Sequence, residues 1–274
     1  MTTQDAIRAA AVQMCSGGDV NENLEIIDEL LKEAASQDAA IAFLPENFAI
    51  MGARDEDKVE CAEEPGSGPI QEFLADAARR HGIWIVAGSL PLKSPLAGKC
   101  YGASIVFDSE GAASPVYRKI HLFDVDLPGG DERYRESATM AAGAEVVVVP
   151  SPLGQLGLSI CYDVRFPELY RHLVDDGATV FSIPAAFTAG TGKAHWHTLL
   201  RSRAIENLAY VIAAGQHGSH PSGRRTYGHS AIVGPWGQVM AEREAGDGVV
   251  VAEIDPALPA RLRAQFPVLE HRRL

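Results

Sequence analysis

The feature that most constrains the fold is an alternation of strand-like and helix-like segments that runs twice through the chain. Short apolar runs predict buried strands. Between two of them, apolar residues recur at helical spacing at Ile26, Ile27, Leu30, Leu31 and Ala34. Strands that alternate with helices are typical of α/β proteins. The pattern therefore predicts an α/β fold.

The same pattern places the individual segments. In the first half we predict strands at 7–14, 40–44 and 83–87, helices at 23–35 and 69–80, and a hairpin of 104–107 with 113–117. In the second half we predict strands at 145–149, 155–160, 179–183, 210–214 and 249–254, helices at 167–174 and 196–204, a hairpin turning at 234–237, and a short C-terminal helix. No linker rich in Gly, Ser or Pro separates the halves, so we expect residues 1–274 to form one domain of two packed sheets with outer helices.

Composition limits the classes of partner. The chain has 274 residues, of which 46% are hydrophobic, so it can bury a sizeable core. Its 24 Lys and Arg residues against 36 Asp and Glu residues give a formal net charge of −12, which disfavours nucleic acids and anionic membrane surfaces. We expect a small-molecule or protein partner. The N-terminus lacks a basic region before an apolar one, and no apolar stretch has membrane-spanning length, so we expect a cytoplasmic protein.

Cys161 is the candidate nucleophile. It stands where the apolar run 156–160 gives way to a polar turn, and strand ends that open toward a helix are where α/β proteins place their chemistry. Pro167 suits the first position of a helix and Arg165 is near in sequence, so we expect surroundings that favour the thiolate. A buried structural cysteine is the alternative. The chain's other cysteines show no C-x-x-C spacing, which argues against a zinc knuckle or a disulfide scaffold.

Three charged residues are candidates for the same site. Glu46 follows the buried strand 40–44 after a single Pro45, so we expect burial to raise its pKa and suit it to act as a general base. Lys119 lies in a basic cluster between apolar residues and can stabilise an oxyanion, although a surface ion pair with Asp124 or Asp126 is the alternative. Glu136 stands among arginines, which by itself indicates a surface ion pair.

Three segments, 44–46, 117–122 and 157–168, together resemble the signature blocks of the nitrilase superfamily of carbon–nitrogen hydrolases. The resemblance implies an α-β-β-α sandwich and a Glu-Lys-Cys triad, carried here by Glu46, Lys119 and Cys161. It implies a second glutamate at Glu136 and an oxyanion contact from the backbone N–H of Tyr162. It also implies a homodimer or higher homo-oligomer, and a reaction that needs no metal or organic cofactor.

The second half resembles one branch of that superfamily. Segments 184–192, 194–196, 201–207, 227–230 and 235–237 look like the Nit amidases, a branch that includes deaminated glutathione amidase and omega-amidase. The loop 213–220 and the segment 225–230 are more similar to the former. The implied substrate is a small linear amide bearing a carboxylate. A nitrile, an N-carbamoyl amide, or a catalytically silent binding role remain alternatives. The family commonly has Glu after His195-Trp196, whereas this chain has His197.

An anionic substrate needs a cation, and Arg165 is the candidate because a guanidinium binds a carboxylate bidentately. The alternative is an internal ion pair with Glu168 or Asp163. Phe187 and Thr188 follow a strand end on the same side, so they are candidates to line the pocket, or ordinary core and loop residues.

The spacing of the histidines and a loop with two glycines are the remaining features of interest. His195 and His197 are two residues apart, so on a helix they face different ways, and the histidines otherwise show no metal-ligand spacing. We therefore predict no metal site. Whether the loop at Gly129 and Gly130 acts as a lid is left open by the sequence.

Overall fold

The structure is a computed structural model that describes residues 6–128 and 132–273. Its helices, in chain order, are α1 (Val20–Ser36), α2 (Asp57–Glu60), α3 (Pro69–His81), α4 (Pro167–Asp175), α5 (Ala189–Asn207) and α6 (Leu258–Gln265). Its strands are β1 (Ile7–Gln13), β2 (Ala39–Phe43), β3 (Trp84–Val86), β4 (Leu90–Lys93), β5 (Cys100–Ser104), β6 (Val106–Phe107), β7 (Tyr117–Arg118), β8 (Asp124–Asp126), β9 (Arg133–Arg135), β10 (Val148–Ser151), β11 (Gly154–Leu158), β12 (Val180–Ser182), β13 (Tyr210–Ala213), β14 (His217–Ser219), β15 (Arg225–Tyr227), β16 (Ser230–Val233), β17 (Val239–Arg243) and β18 (Gly248–Ile254).

Two sheets of similar design form the centre of the molecule. The first has the order β18-β1-β2-β3-β6, and the second has the order β10-β11-β12-β13-β16-β17. In each sheet three central strands run parallel, and antiparallel strands flank them. The alternation that repeats along the sequence is therefore a repeat of the same sheet design.

The core lies in layers. Alternate residues of β1, Ala9 and Ala11, pack with the second sheet, whereas Ala10 and Val12 pack with α1 and α3 on the other face. Strand residues point alternately to opposite faces, so each face of β1 contributes to a different layer. Helices α4 and α5 cover the second sheet through side chains such as Leu173. The result is the predicted α-β-β-α sandwich.

Helix boundaries follow local capping chemistry. Asp19 precedes α1, and its carboxylate accepts hydrogen bonds from the N–H groups of Asn21 at 2.8 Å and Glu22 at 3.2 Å, so the helix begins before the predicted residue 23. Helix α3 begins at Pro69 and ends at His81, and the residue that follows it, Gly82, has φ +64°. Gly adopts this left-handed conformation without steric cost, so the predicted end of this helix is confirmed.

The start of α5 differs from the prediction. The helix begins at Ala189 because the side chain of Thr188 accepts a hydrogen bond from the N–H of Thr191 at 3.3 Å. The two glycines of this segment resemble a loop in the sequence. Gly192 instead lets Tyr227 pack against the helix backbone, since a Cβ atom at this position would lie 2.3 Å from Tyr227. A glycine is therefore needed here for packing and not for flexibility.

Most predicted strands are confirmed, with ends that differ from the prediction by up to three residues. The largest difference is at the strand predicted for 145–149, which is β10, Val148–Ser151. The hairpin predicted for 104–107 and 113–117 occurs, but its first arm is divided between two sheets: Ser104 of β5 pairs with Tyr117 of β7, whereas Phe107 lies in β6 of the first sheet and bridges to Ala113. No helix of the described ranges combines the length and apolar character that crossing a membrane requires. All four cysteines are free thiols.

Candidate active site

Glu46 lies three residues after β2, in a buried position with 4% of its surface exposed. Its Oε1 accepts a hydrogen bond from Lys119 Nζ at 2.7 Å, and its Oε2 accepts one from the N–H of Ala186 at 2.8 Å. The backbone around it is tightly packed, since a Cβ atom on Gly88 would lie 2.0 Å from the carbonyl oxygen of Pro45. Both carboxylate oxygens are therefore held in fixed directions.

Lys119 is the centre of the charged group. Its Nζ donates to Glu46 and also to Glu136, whose Oε1 and Oε2 lie at 2.8 and 2.9 Å. Lys119 is 2% exposed, so the alternative of a surface ion pair with Asp124 or Asp126 is wrong. The surface pairing expected for Glu136 is also wrong, because its Oε2 accepts from the N–H of Phe123 at 2.6 Å as well as from Lys119.

Cys161 begins a 3-10 turn, Cys161–Arg165, three residues after β11 ends. It has φ +49°, a conformation that costs a non-glycine residue energy, and it is 6% exposed. Its N–H donates to the carbonyl of Pro184 at 2.8 Å. Tyr162 is the second residue of the turn, and N–H groups in a first turn have no partner within the helix. That N–H is therefore available as a donor beside the thiol.

The buried carboxylate of Asp163 anchors this strained turn. One oxygen accepts from the hydroxyl of Tyr117 at 2.7 Å and from the N–H of Ile160 at 2.8 Å. The other accepts from the N–H of His121 at 3.0 Å and lies 2.7 Å from its Nδ1. The anchor connects the segment around Lys119 to the segment around Cys161. In the sequence Asp163 is noticed only as a possible partner for Arg165, and its role as an anchor of this turn was missed.

The pKa of Glu46 does not shift in the direction expected from the sequence. Burial acts to raise its pKa, but the charge of Lys119 and the hydrogen bonds from Cys161 and Lys119 outweigh it, so the pKa is lowered. The predicted rise is wrong, because the sequence does not reveal that an ammonium lies against the carboxylate. Lys119 has a raised pKa: burial opposes its charge, but Glu136 and Glu46 more than compensate. The site thus holds one permanent cation between two carboxylates.

The expectation that the surroundings of Cys161 favour its thiolate is also wrong. Burial raises the pKa of its thiol well above the ordinary value, and the negative charge of Glu46 raises it further, while Lys119 opposes both. A thiolate would bring a third negative charge beside one ammonium. The resting cysteine is therefore a neutral thiol that needs a base, and the base beside it is an ionised carboxylate.

A pocket opens over these groups, and the structure brings all the predicted site residues to it. It is lined by Glu46, Lys119, Glu136, Cys161, Tyr162, Arg165, Phe187 and Thr188. Among the described residues, its lining holds five cationic side chains, Lys58, Lys119, Arg135, Arg165 and Arg224, against three carboxylates, Asp55, Glu46 and Glu136. In a chain with a net charge of −12, this pocket is a local excess of positive charge.

Arg165 is placed by aromatic rings. Its guanidinium lies 5.1 Å from the ring centroid of Phe187 and 5.8 Å from that of Tyr162, and Nη1 is 3.3 Å from Nδ1 of His195. Within the described part of the chain it forms no ion pair with Glu168 or Asp163. Its charge is therefore available to a ligand in the pocket.

Arg224 is a pocket residue that the sequence analysis missed. Its Nη2 donates to the carbonyl of Ala186, its guanidinium lies 5.1 Å from the ring of Tyr134, and its buried Nε has no hydrogen-bond partner among the described residues. A buried donor without a partner is costly, and the rest of this side chain lines the pocket. The signal in the sequence is weak, since Arg224 and Arg225 look like any exposed basic pair. The loop at Gly129 and Gly130 lies outside the described residues.

Comparison with known proteins defines the family. The family model for carbon–nitrogen hydrolases matches residues 8–264. This chain belongs to the carbon–nitrogen hydrolase family, and the α-β-β-α sandwich with its Glu46, Lys119 and Cys161 group agrees with the resemblance found in the sequence.

Individual relatives narrow the comparison. A deaminated glutathione amidase of Synechocystis is 45% identical over 267 residues, covering 96% of this chain and 97% of that protein. The crystal structure of the Caenorhabditis elegans NitFhit protein superposes with a TM-score of 0.90 at 40% identity, covering all of this chain and 66% of that longer one. Nit3 of Saccharomyces cerevisiae, a member of branch 10 of the nitrilase superfamily, superposes with a TM-score of 0.87 at 31% identity, covering 98% and 97%.

Proposed function

We propose that this chain is a cysteine-dependent amidase that hydrolyses a small linear amide bearing a carboxylate, with deaminated glutathione as its substrate. One observation carries the proposal: Lys119 Nζ lies 2.7 Å from Glu46 and 2.8 Å from Glu136, beside the thiol of Cys161 and under a cationic pocket. This arrangement supplies a base, an electrophile and a nucleophile within one site.

The first half of the reaction forms a thioester. Glu46 takes the proton of the Cys161 thiol as the sulfur attacks the amide carbon, and a tetrahedral intermediate forms. Its oxyanion is stabilised by Lys119 and by the backbone N–H of Tyr162. Lys119 carries three N–H groups: one serves Glu46, one is shared by the two oxygens of Glu136, and the third then serves the oxyanion. The C–N bond then breaks as Glu46 returns its proton to the nitrogen, and ammonia leaves.

The second half regenerates the enzyme. Glu46, again ionised, removes a proton from a water molecule that attacks the thioester carbon. The new intermediate collapses with cleavage of the C–S bond, the carboxylic acid product leaves, and the sulfur regains its proton from Glu46. Glu136 is a positioning residue in this scheme, because both of its oxygens are used to hold Lys119 in place.

The pocket supports the choice of a substrate with a carboxylate. Arg165 offers a guanidinium with no carboxylate partner in the described chain, and the Arg224 side chain lines the same pocket. We propose that these two cations bind the substrate carboxylate, and that Phe187 and Thr188 line the path of the substrate chain toward Cys161. The 45% identity to a protein named deaminated glutathione amidase supports that amide over others.

The wider setting is part of the same proposal. We propose one catalytic domain over residues 1–274, working in the cytoplasm as a homodimer or higher homo-oligomer. Its substrate is a small molecule rather than a nucleic acid or a membrane. The chemistry uses no metal or organic cofactor, since the thiol supplies the nucleophile and the ammonium supplies the electrophilic assistance.

The test is ammonia release from deaminated glutathione, α-ketoglutaramate, a simple nitrile and an N-carbamoyl amino acid. The wild type is compared with Cys161→Ala and with Cys15→Ala, which removes a thiol outside the pocket. We expect turnover that favours deaminated glutathione, is lost with Cys161, and survives loss of Cys15. A preference for α-ketoglutaramate would instead assign an omega-amidase. No release from any of the four would point to a silent binding protein or another amide.

A further inference from the structure

Two histidines and a glutamate from separate elements meet at the surface, outside the pocket. His197 lies in α5, His229 precedes β16, and Glu242 lies in β17. Nε2 of His197 is 2.7 Å and Nδ1 of His229 is 2.5 Å from the same oxygen, Oε1 of Glu242. One donor atom from each residue lies within 4.8 Å of the others. Two imidazoles thus share one carboxylate oxygen.

The backbone and its neighbours hold His229 in place. It has φ +56°, a left-handed conformation that is strained for a non-glycine residue. Its carbonyl accepts from the indole N–H of the buried Trp196 at 2.8 Å, and its N–H donates to the carbonyl of Glu244 at 3.3 Å. Its ring stacks on Tyr227 with centroids 4.1 Å apart and an angle of 20°. The imidazole is therefore oriented toward Glu242 by a rigid surrounding.

The donor set suits a particular class of ion. Two imidazole nitrogens and one carboxylate oxygen are typical ligands of Zn²⁺, with water in the fourth position. Tetrahedral bonds of about 2.05 Å place neighbouring donors about 3.3 Å apart, so the hydrogen-bonded atoms need to separate by less than about 1 Å. The side chains are 36%, 20% and 26% exposed for His197, His229 and Glu242, so an ion and its water can reach them.

We propose that His197, His229 and Glu242 bind a divalent first-row transition-metal ion, best matched by Zn²⁺, as a structural clamp. The ion would join α5 to β17 and to the turn before β16. None of the three residues lines the pocket over Cys161. Spacing along the sequence does not reveal this group, because its members come from separate elements: His197 and Glu242 are 45 residues apart, and His229 and Glu242 are 13 apart. The expectation of no metal site rested on that spacing.

The clamp lies behind part of the pocket wall. Tyr227, which stacks on His229, donates its N–H to the carbonyl of Phe187 at 3.0 Å and packs against Gly192 of α5. Joining α5 to the sheet therefore fixes the segment that carries Phe187, without contact with the reacting atoms. The effect expected of the ion is on stability.

The test is calorimetric titration of the metal-free full chain with ZnCl2 in a Cys161→Ala background, which removes the pocket thiol as a competing ligand. The site variants are His197→Gln, Glu242→Gln and His229→Asn, since Asn tolerates the left-handed conformation. Matched controls are His172→Gln on α4, which is exposed, and Glu244→Gln, two residues along the chain from Glu242. Circular dichroism checks that each variant is folded, and the two Gln variants carry the test if His229→Asn is not.

We expect the parent chain and both controls to bind one equivalent of Zn²⁺ that each site variant binds at least tenfold more weakly. At a free concentration about 100-fold above the parent's Kd, Zn²⁺ should raise the Tm of the parent by roughly 5 °C and that of each site variant by no more than about half as much. Equal uptake by the parent and the three site variants would overturn the proposal. So would a parent whose Tm does not respond to Zn²⁺.

Discussion

Neutralising Glu46 should make the thiol of Cys161 easier to ionise but should make amide hydrolysis slower. The carboxylate raises the pKa of the thiol through its charge and through the hydrogen bond between them, in addition to the effect of burial. Glu46→Gln removes the charge and keeps a side chain of similar shape. The thiolate should then form at lower pH, because the ammonium of Lys119 still stabilises it and the negative charge of Glu46 no longer opposes it.

Coulomb's law gives the scale of the effect. Two unit charges about 4 Å apart interact by about 4 kcal/mol at an effective dielectric constant of about 20. Part of this gain is lost because the amide of Gln still contacts Lys119. We therefore expect the pKa of Cys161 to fall, while amide hydrolysis falls by at least about 100-fold through loss of the base.

The assay is thiolate absorbance in the ultraviolet as a function of pH, taken as the difference from the matching Cys161→Ala protein. Ammonia release is measured on the same samples. Asp55→Asn is the control, since it removes an exposed carboxylate at the rim of the same pocket. An unchanged or raised thiol pKa in Glu46→Gln would refute the electrostatic reasoning, and retained hydrolysis would refute the role of Glu46 as the base.

The remaining predictions concern three other side chains. Lys119→Met should lower kcat by at least about 100-fold, since it removes an oxyanion donor, and steady-state kinetics on well-folded protein should detect this. Arg224→Leu should lower kcat/KM for a carboxylate-bearing amide by about 10- to 100-fold and for a neutral amide far less, while Arg225→Leu leaves the ratio unchanged. An equal loss on both substrates would contradict carboxylate binding by Arg224. Asp163→Asn should destabilise the fold by about 3 kcal/mol and lower Tm by roughly 6–10 °C, because it places an amide among buried donors. A melting temperature that stays within about 1 °C of the wild type, as for a surface substitution, would contradict its anchoring role.

The layers and the strand ends could be predicted from the sequence because they depend on local pattern. The run 40–44 before Glu46 is wholly apolar, and apolar residues alternate along 156–160 before Cys161, so each segment predicts a strand with a polar residue just beyond its end. The end of α3 at Gly82 is equally local. The resemblance to the nitrilase superfamily then grouped Glu46, Lys119 and Cys161, which no local rule could have brought together.

Features that depend on contacts between distant residues could not be predicted. A lysine in a basic cluster looks exposed, and only the tertiary structure places Lys119 between two carboxylates. The pKa directions of Glu46 and Cys161 were predicted wrongly for this reason, since the pKa of Glu46 depends on the ammonium of Lys119, and that of Cys161 on the depth of its burial and then on the charge of Glu46. Arg224 was missed likewise, because the hairpin of β14 and β15 brings it to Ala186 across 38 residues of sequence.

The most direct test of the account is intact-protein mass spectrometry of the enzyme quenched during turnover of its amide substrate. The account predicts a transient adduct with the mass of the substrate less ammonia, located on the peptide that contains Cys161. The adduct should be absent from Cys161→Ala. Turnover without any adduct, together with ammonia release by Cys161→Ala, would contradict a thioester at Cys161 and with it the proposed mechanism.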